Sequence, residues 1–261
     1  MNKVILKLLT ALLITVATQA TAQEGWEVIR ITNGEWPPYF SQHLKHGGAT
    51  SHLVTEALAL QGVKVEYGWF PWIRSMQYAQ SGQWHGSIGW KNTPDRAKSL
   101  LFSDPIAQVR PVIFHLKNIP FEWRALDDLM DKTIGGVIGY DYGAEFTRAE
   151  TSGKLAVKRL TNEVQLFRVL LAGRIDIMVS NELVGHSILA KHFTPAQVIK
   201  ITHHHLPVYE HQLHLALSKK NKSNKQLLKK FNKGLQQLKS SGRYEEIYRN
   251  LRTGQYEIKT E

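Results

Sequence analysis

Residues 27–32 alternate apolar and polar side chains and predict a first strand. Leu53, Val54, Ala57 and Leu58 then recur at helical spacing. Thr50 or Ser51 is the expected cap of that helix and Gly62 its stop. Residues 63–70 return as a strand and 72–80 as a helix stopped by Gly82. A short strand at 87–90 leads into a turn at 92–96. The rhythm restarts with a strand at 133–138 and a glycine-bounded loop, 139–143, that opens a helix. A strand at 154–160, a helix at 164–172 capped by Asn162 and ended by Gly173, a strand at 175–179 and a helix at 181–191 follow. An alternating strand at 212–218 precedes two closing helices, 224–240 and 243–251.

This alternation of strand and helix implies an α/β protein, with parallel strands covered by helices on both faces. It occurs as two units with a late return of the chain. There is no tandem repeat and no long linker between the halves. The chain is expected to cross between units at 116–120 and 205–211.

The first residues read differently. Lys3 and Lys7 precede an apolar run over 8–16, and Ala20-Thr21-Ala22 supplies small residues for cleavage. That pattern predicts a signal peptide over 1–22. The run is short for a membrane span. The remainder is expected to be exported and soluble, in the periplasm.

The 261 residues contain no cysteine, which excludes disulfide scaffolds, thiolate metal sites and thiol nucleophiles. Lys and Arg number 33 against 22 Asp and Glu, a formal +11. Seven lysines fall within residues 219–233, opposite Leu227, Leu228, Phe231, Leu235 and Leu238 on one helix. They read as a solvated outer face, and export also argues against nucleic acid as a partner.

Candidate chemistry concentrates in loops. Asn33-Gly34-Glu35-Trp36-Pro37-Pro38-Tyr39-Phe40 places three aromatics on a segment that its prolines and glycine keep out of regular structure. Such residues either wall a ligand or pack the surface of a unit onto its core. The 139–143 loop opens a helix, so its N–H groups favour an anion. Asp141 in that loop either binds a cation or caps the helix. Arg74 reads equally as a surface ion pair or an anion contact.

Gly82-Gln83-Trp84-His85-Gly86-Ser87-Ile88-Gly89-Trp90, then Thr93-Pro94-Asp95-Arg96, then Phe102-Ser103-Asp104-Pro105, resemble in order the motifs of the bacterial extracellular solute-binding proteins of family 3. The segment from Gly135 to Gly143, the run Leu171-Ala172-Gly173-Arg174-Ile175-Asp176, and Gly242-Arg243-Tyr244 continue the resemblance over 25–251.

The resemblance implies a two-lobed periplasmic-binding-protein fold of type II, two mostly parallel sheets joined by two crossing strands. Lobe one would be 23–117 plus 212–261 and lobe two 118–211. It implies capture of a small polar ligand, an amino acid or related carboxylate, for an inner-membrane ABC permease. A membrane sensor receptor is the alternative partner. A monomer without cofactor or catalytic residues is expected. By the same resemblance Arg96 grips a ligand carboxylate beside Thr93, a role its planar fork suits. Trp36, Tyr39, Trp72 and Trp90 would wall the site, and Tyr140, Asp141 and Tyr142 would close it from lobe two. Asn181 stands where the family has an amine-binding Asp, and Asn cannot offset an ammonium. Asp141 or Glu182 would then take the amine, or the ligand is not an ordinary α-amino acid. His85 and the Trp90-Lys91 pair also depart from the family pattern.

Two other readings carry less. His203-His204-His205 with His211 and His214 offers metal-ligand chemistry, but adjacent residues on extended chain face opposite ways, so no metal site is expected. A dehydratase-like enzyme on the same scaffold would need a positioned acid and base. Glu35, Glu56, His85 and Asp141 show no diagnostic spacing.

Overall fold

The structure, a computed structural model, describes residues 26–258. The signal peptide expected over 1–22 lies outside them. Two mixed sheets, each flanked by helices, make up the fold.

The first sheet begins with β1 (Glu27–Asn33), whose alternation buries Ile29 and Ile31. Helix α1 (Ala49–Ala59) packs Leu53, Val54, Ala57 and Leu58 onto it. The expected cap is not used. Gly48 at φ 89° starts α1, and Thr50 and Ser51 are buried inside it. Ser51 Oγ accepts from Asn33 Nδ2 at 2.9 Å, so the hydroxyl ties helix to strand instead. Strand β2 (Val63–Trp69), helix α2 (Trp72–Ser81) and strand β3 (Gly86–Trp90) follow, with β2 and β3 both parallel to β1. A one-turn helix α3 (Pro94–Ala97) and the short strands β4 (Leu100–Phe102) and β5 (Ala107–Val109) complete this passage.

The second sheet contains β6 (Pro111–Leu116), β7 (Thr133–Val137), β8 (Ala156–Leu160), β9 (Ile177–Asn181) and β10 (Ile201–Pro207). Helices α4 (Ala144–Thr151), α5 (Glu163–Leu171), α6 (Glu182–His192) and the short α7 (Pro195–Val198) accompany them. Strands β7, β8 and β9 are parallel, and β6 is reversed, pairing antiparallel with β9 on one side and β10 on the other. The chain returns through β11 (His211–Ser218), antiparallel within the first sheet, and ends in α8 (Asn224–Ser240) and α9 (Arg243–Arg252). The parallel order expected from the alternation therefore forms the heart of each sheet. The antiparallel strands adjoin the crossings.

The first crossing is earlier than the expected 116–120. β5 pairs in the first sheet and β6 in the second, so the chain changes sheets at Arg110. Residues 111–116 thus belong with the second sheet, not with the first unit ending at 117. β6 is apolar and buried on both faces from Pro111 to Phe114, and such a run lacks the period that marks a half-exposed strand. The chain returns to the first sheet at 208–210, between β10 and β11. Arg110 Nε is 2.8 Å from Glu210 Oε1, and Gln108 Nε2 donates to Glu210 Oε2 at 2.7 Å, which ties the two crossings together.

Helix α8 lies so close to α1 that a Cβ on Gly234 would stand 1.9 Å from the Ala57 carbonyl oxygen. Its apolar stripe, Leu227, Phe231, Leu235 and Leu238, completes the first core. Val184 of α6 is buried in that same core, so the second unit is seated directly on the first.

Candidate functional site

In parallel sheets, ligands bind in the crevice beyond the carboxyl ends of the strands. Here those ends bring together the loops after β1, β3, β7, β8 and β9. Each sequence-predicted site residue stands in or next to one of these loops, Trp72 excepted; it begins α2.

On the first sheet the aromatics form one continuous train. Trp36 and Tyr39 stack at 5.0 Å between ring centres. Phe40 meets Trp72 edge-on at 5.9 Å, and Trp72 meets Trp90 edge-on at 5.3 Å. Phe40 is fully buried at the centre of this train, a role the sequence reading did not assign. Trp72 Nε1 donates to the Glu35 carbonyl at 3.2 Å, and Trp90 Nε1 to Ser87 Oγ at 2.7 Å. Trp90 owes its position to a bulge. His214 pairs with Trp90 and Leu215 with Ile88, leaving Gly89 over, at φ 88°.

Arg96 lies on top of this train. Its guanidinium is 4.9 Å from the Trp90 ring centre, and Nη1 donates to the Lys91 carbonyl at 3.0 Å. Thr93 caps α3, its hydroxyl accepting from Arg96 N–H at 3.4 Å. Thr93 therefore holds the backbone that aims Arg96. Burial lowers the Arg96 pKa, with Asp141 and Asp95 opposing, and the group stays charged. Neither acid pairs with it. Asp141 Oδ2 is 3.0 Å from Lys91 Nζ, and Asp95 Oδ1 is 3.0 Å from Lys98 Nζ. Arg74 is exposed and is no part of this arrangement.

The second sheet contributes the 139–143 loop. Asp141 does not cap α4, whose N-cap is Gly143 with no side-chain partner; its Oδ1 accepts from Gly143 N–H at 2.8 Å and closes the turn before the helix. Burial pushes its carboxyl up, but the Gly143 N–H and Lys91 outweigh that and hold it below the usual range. The Tyr209 hydroxyl donates to the Asp141 carbonyl, and Lys91 Nζ lies 5.8 Å from the Tyr209 ring centre. Lys91 and Tyr209 were not expected at the site. Lys91 drew attention only as a departure from the family pattern. Tyr140, within the loop, is 37% exposed. Tyr142 is buried in the second core, its hydroxyl accepting from Val137 N–H at 2.7 Å and its ring under Arg159 at 4.9 Å. It shapes the loop from beneath.

Asn181 ends β9 and caps α6, its Oδ1 accepting from Val184 N–H at 3.2 Å. Across the crevice lies Tyr39, only 4% exposed, whose hydroxyl burial pushes up to about 12 while the nearby Asn181 side chain pulls it down. Glu182 faces His203 at 3.8 Å.

One acid near the loop was missed by sequence reading. Glu163, at the start of α5, is buried, and Ser180 Oγ donates to its Oε1 at 2.6 Å. Burial raises its pKa to about 7, with Ser180 opposing. Its position in a helical first turn reads as ordinary, so nothing in the sequence marked it.

The histidines spread as their strand dictates. His203 Nδ1 lies 3.2 Å from His186 Nε2, whereas His204 Nε2 lies 3.2 Å from Glu122 Oε2. Among the described residues no three His, Asp or Glu side chains converge as a metal site would require. Burial, with Lys91 adding to it, pushes His211 down to about 4, so it is neutral at pH 7. No described helix is long and apolar enough to cross a membrane.

The fold is shared with solved structures. A histidine kinase sensor domain with similarity to periplasmic binding proteins matches at a TM-score of 0.69 and 21% identity, over 88% of this chain and 97% of its own. An ancestral arginine-binding protein bound to arginine matches at 0.66 and 25% identity, over 86% and 97%. The substrate binding protein of an amino acid ABC transporter matches at 0.64 and 24% identity, over 84% and 96%. A search among curated proteins finds no significant sequence match. The sequence profile of one family matches residues 28–251. Spanning nearly all of the described residues, that match and the two-sheet type II fold place the chain among the bacterial extracellular solute-binding proteins, family 3.

Proposed function

We propose that this protein is a periplasmic receptor that captures a small carboxylate-bearing solute, an amino acid or close relative, and delivers it to an inner-membrane ABC importer. The observation that carries the reading is Arg96. It is a half-buried guanidinium at the carboxyl end of β3, packed on Trp90, with no acid partner among the described residues. Such a cation calls for an anion, and a carboxylate fits its fork. The aromatic train from Trp36 to Trp90 supplies an apolar wall beside it. The two units, joined by two crossings, would close around the solute by a hinge motion. Export through a cleaved signal over 1–22 is part of the same reading.

A second reading keeps the site and changes the recipient. The likeness of fold to a histidine kinase sensor domain fits a module that presents its ligand to a membrane receptor. The carboxylate reading is tested by calorimetry on the purified protein, freed of ligand by unfolding and refolding. Amino acids and small organic acids are titrated in turn. Submillimolar binding of at least one carboxylate, lost in Arg96→Ala, is expected. No binding across both classes would refute it.

A further inference from the structure

We propose that Lys91 sets the ligand class: its ammonium occupies the acid that a ligand α-ammonium would need, so the cleft takes a small carboxylate lacking an α-amine. The inference rests on the carboxylate reading above and narrows it.

The argument is an inventory of the charges around Arg96. Asp141 is the acid that the second sheet presents toward the first, and Lys91 Nζ already holds its Oδ2 at 3.0 Å. Its other oxygen, Oδ1, accepts from Gly143 N–H, and its main-chain carbonyl accepts from Tyr209. Both carboxylate oxygens thus have partners. Asp95 pairs with Lys98, and Glu210 with Arg110. Glu182 has only His203 at 3.8 Å and Glu35 accepts only from Gln42 N–H, but the acids whose fields reach Arg96 are Asp141 and Asp95. Asn181 is neutral, and its oxygen is engaged by Val184 N–H. Glu163 is buried, bonded to Ser180, and held toward its neutral form by that burial. His211 contributes no charge at pH 7. Arg96 is the cation of this group that has no ion-pair partner among the described residues.

A zwitterionic amino acid anchored through Arg96 would therefore bring its ammonium up to two cations, Arg96 and Lys91, while the two acids that act on Arg96, Asp141 and Asp95, are already paired with lysines. Like charges so placed oppose binding. To reach Asp141 it would have to displace Lys91, which is tethered to the same chain and competes at high effective concentration. A carboxylate without the amine meets Arg96 and pays neither cost. Lys91 itself is fixed by position: it directly follows Trp90, and its carbonyl accepts from Arg96. One residue thus positions the anion anchor through its backbone and fills the cation site with its side chain.

The test is calorimetric titration of the refolded, ligand-free protein with pairs differing only in the amine. These are L-alanine and propanoate, L-leucine and 4-methylpentanoate, and L-glutamate and glutarate. The expected result is at least tenfold tighter binding of the amine-free member in whichever pair binds. Lys91→Ala and Lys91→Gln should each move the preference at least tenfold toward the amino acid. Adding Asp141→Asn to Lys91→Ala should abolish that gain, and Lys91→Arg should keep the original preference. Melting curves of each variant establish that it is folded. A wild-type preference for the amino acid, or a ratio unmoved in both folded Lys91 variants, overturns the inference and leaves the carboxylate reading standing. No binding by any member of any pair overturns both.

Discussion

The Arg96 guanidinium stands 4.9 Å above the centre of the Trp90 ring while its Nη1 donates to the Lys91 carbonyl at 3.0 Å. The ring holds the fork from its face and the carbonyl from one end. An arginine held this way loses little further freedom when it meets a carboxylate. Arg96→Ala should weaken binding of the carboxylate by roughly 2–5 kcal/mol, with little change in melting temperature. Arg96→Lys should recover only part, because a point charge cannot match the fork. Calorimetry on both variants decides the matter, and unchanged affinity in Arg96→Ala would remove the anchor.

Asn181 caps α6, its Oδ1 accepting from Val184 N–H at 3.2 Å. Loss of an N-cap costs about 1 kcal/mol. Asn181→Ala is expected to lower unfolding stability by that order in urea titration, and Asn181→Ser to recover most of it.

Glu163 gives the fold a pH dependence whose sign is fixed. Its folded pKa, about 7, lies above the ordinary 4.5. The folded chain therefore keeps a proton that the unfolded chain has released. Its contribution to stability is fully present below pH 4.5 and is lost as pH rises through about 7. The full loss is about 3 kcal/mol at most. Histidines such as His52, His85 and His186, lowered by burial, act in the opposite sense, so the difference between proteins is what matters. Glu163→Gln, measured against the wild type from pH 5 to 8, should gain relative stability as pH rises. A flat difference curve would show that Glu163 is not held neutral.

Gly234 is required by the distance between two helices. A methyl group there would lie 1.9 Å from the Ala57 carbonyl oxygen, and backbone cannot step aside as a flexible side chain does. Gly234→Ala should cost about 1–3 kcal/mol despite the better helix propensity of alanine. Chemical denaturation reads this directly, and a stabilised variant would mean that α8 is free to shift from α1.

Much of the fold was legible because local period and punctuation coincide. Ile29 and Ile31 mark β1, Asn162 caps α5, and Gly82 ends α2 in the left-handed conformation. The reading failed where tertiary pairing overrides local pattern. β6 shows no alternation, and β10 is an Ile-Thr-His-His-His-Leu-Pro run with no apolar period. Thr50 and Ser51 looked like caps because hydroxyls usually serve there, but burial beside Asn33 and Tyr248 used them for cross-links.

The sequence by itself determined the alternation of strand and helix, the family, and Arg96 as a cation in a recognisable turn. Those are properties of short stretches, set by period, capping and spacing. Only the tertiary structure decided which charges are already spent. Lys91 and Asp141 are separated by fifty positions along the chain, yet their atoms lie 3.0 Å apart, and nothing local to either residue encodes the other. The neutral pull on Glu163 and the nearness of Asn181 to Tyr39 arise in the same way. Desolvation and Coulomb interaction act through space, so the electrostatic character of the cleft exists only once the two sheets are brought together.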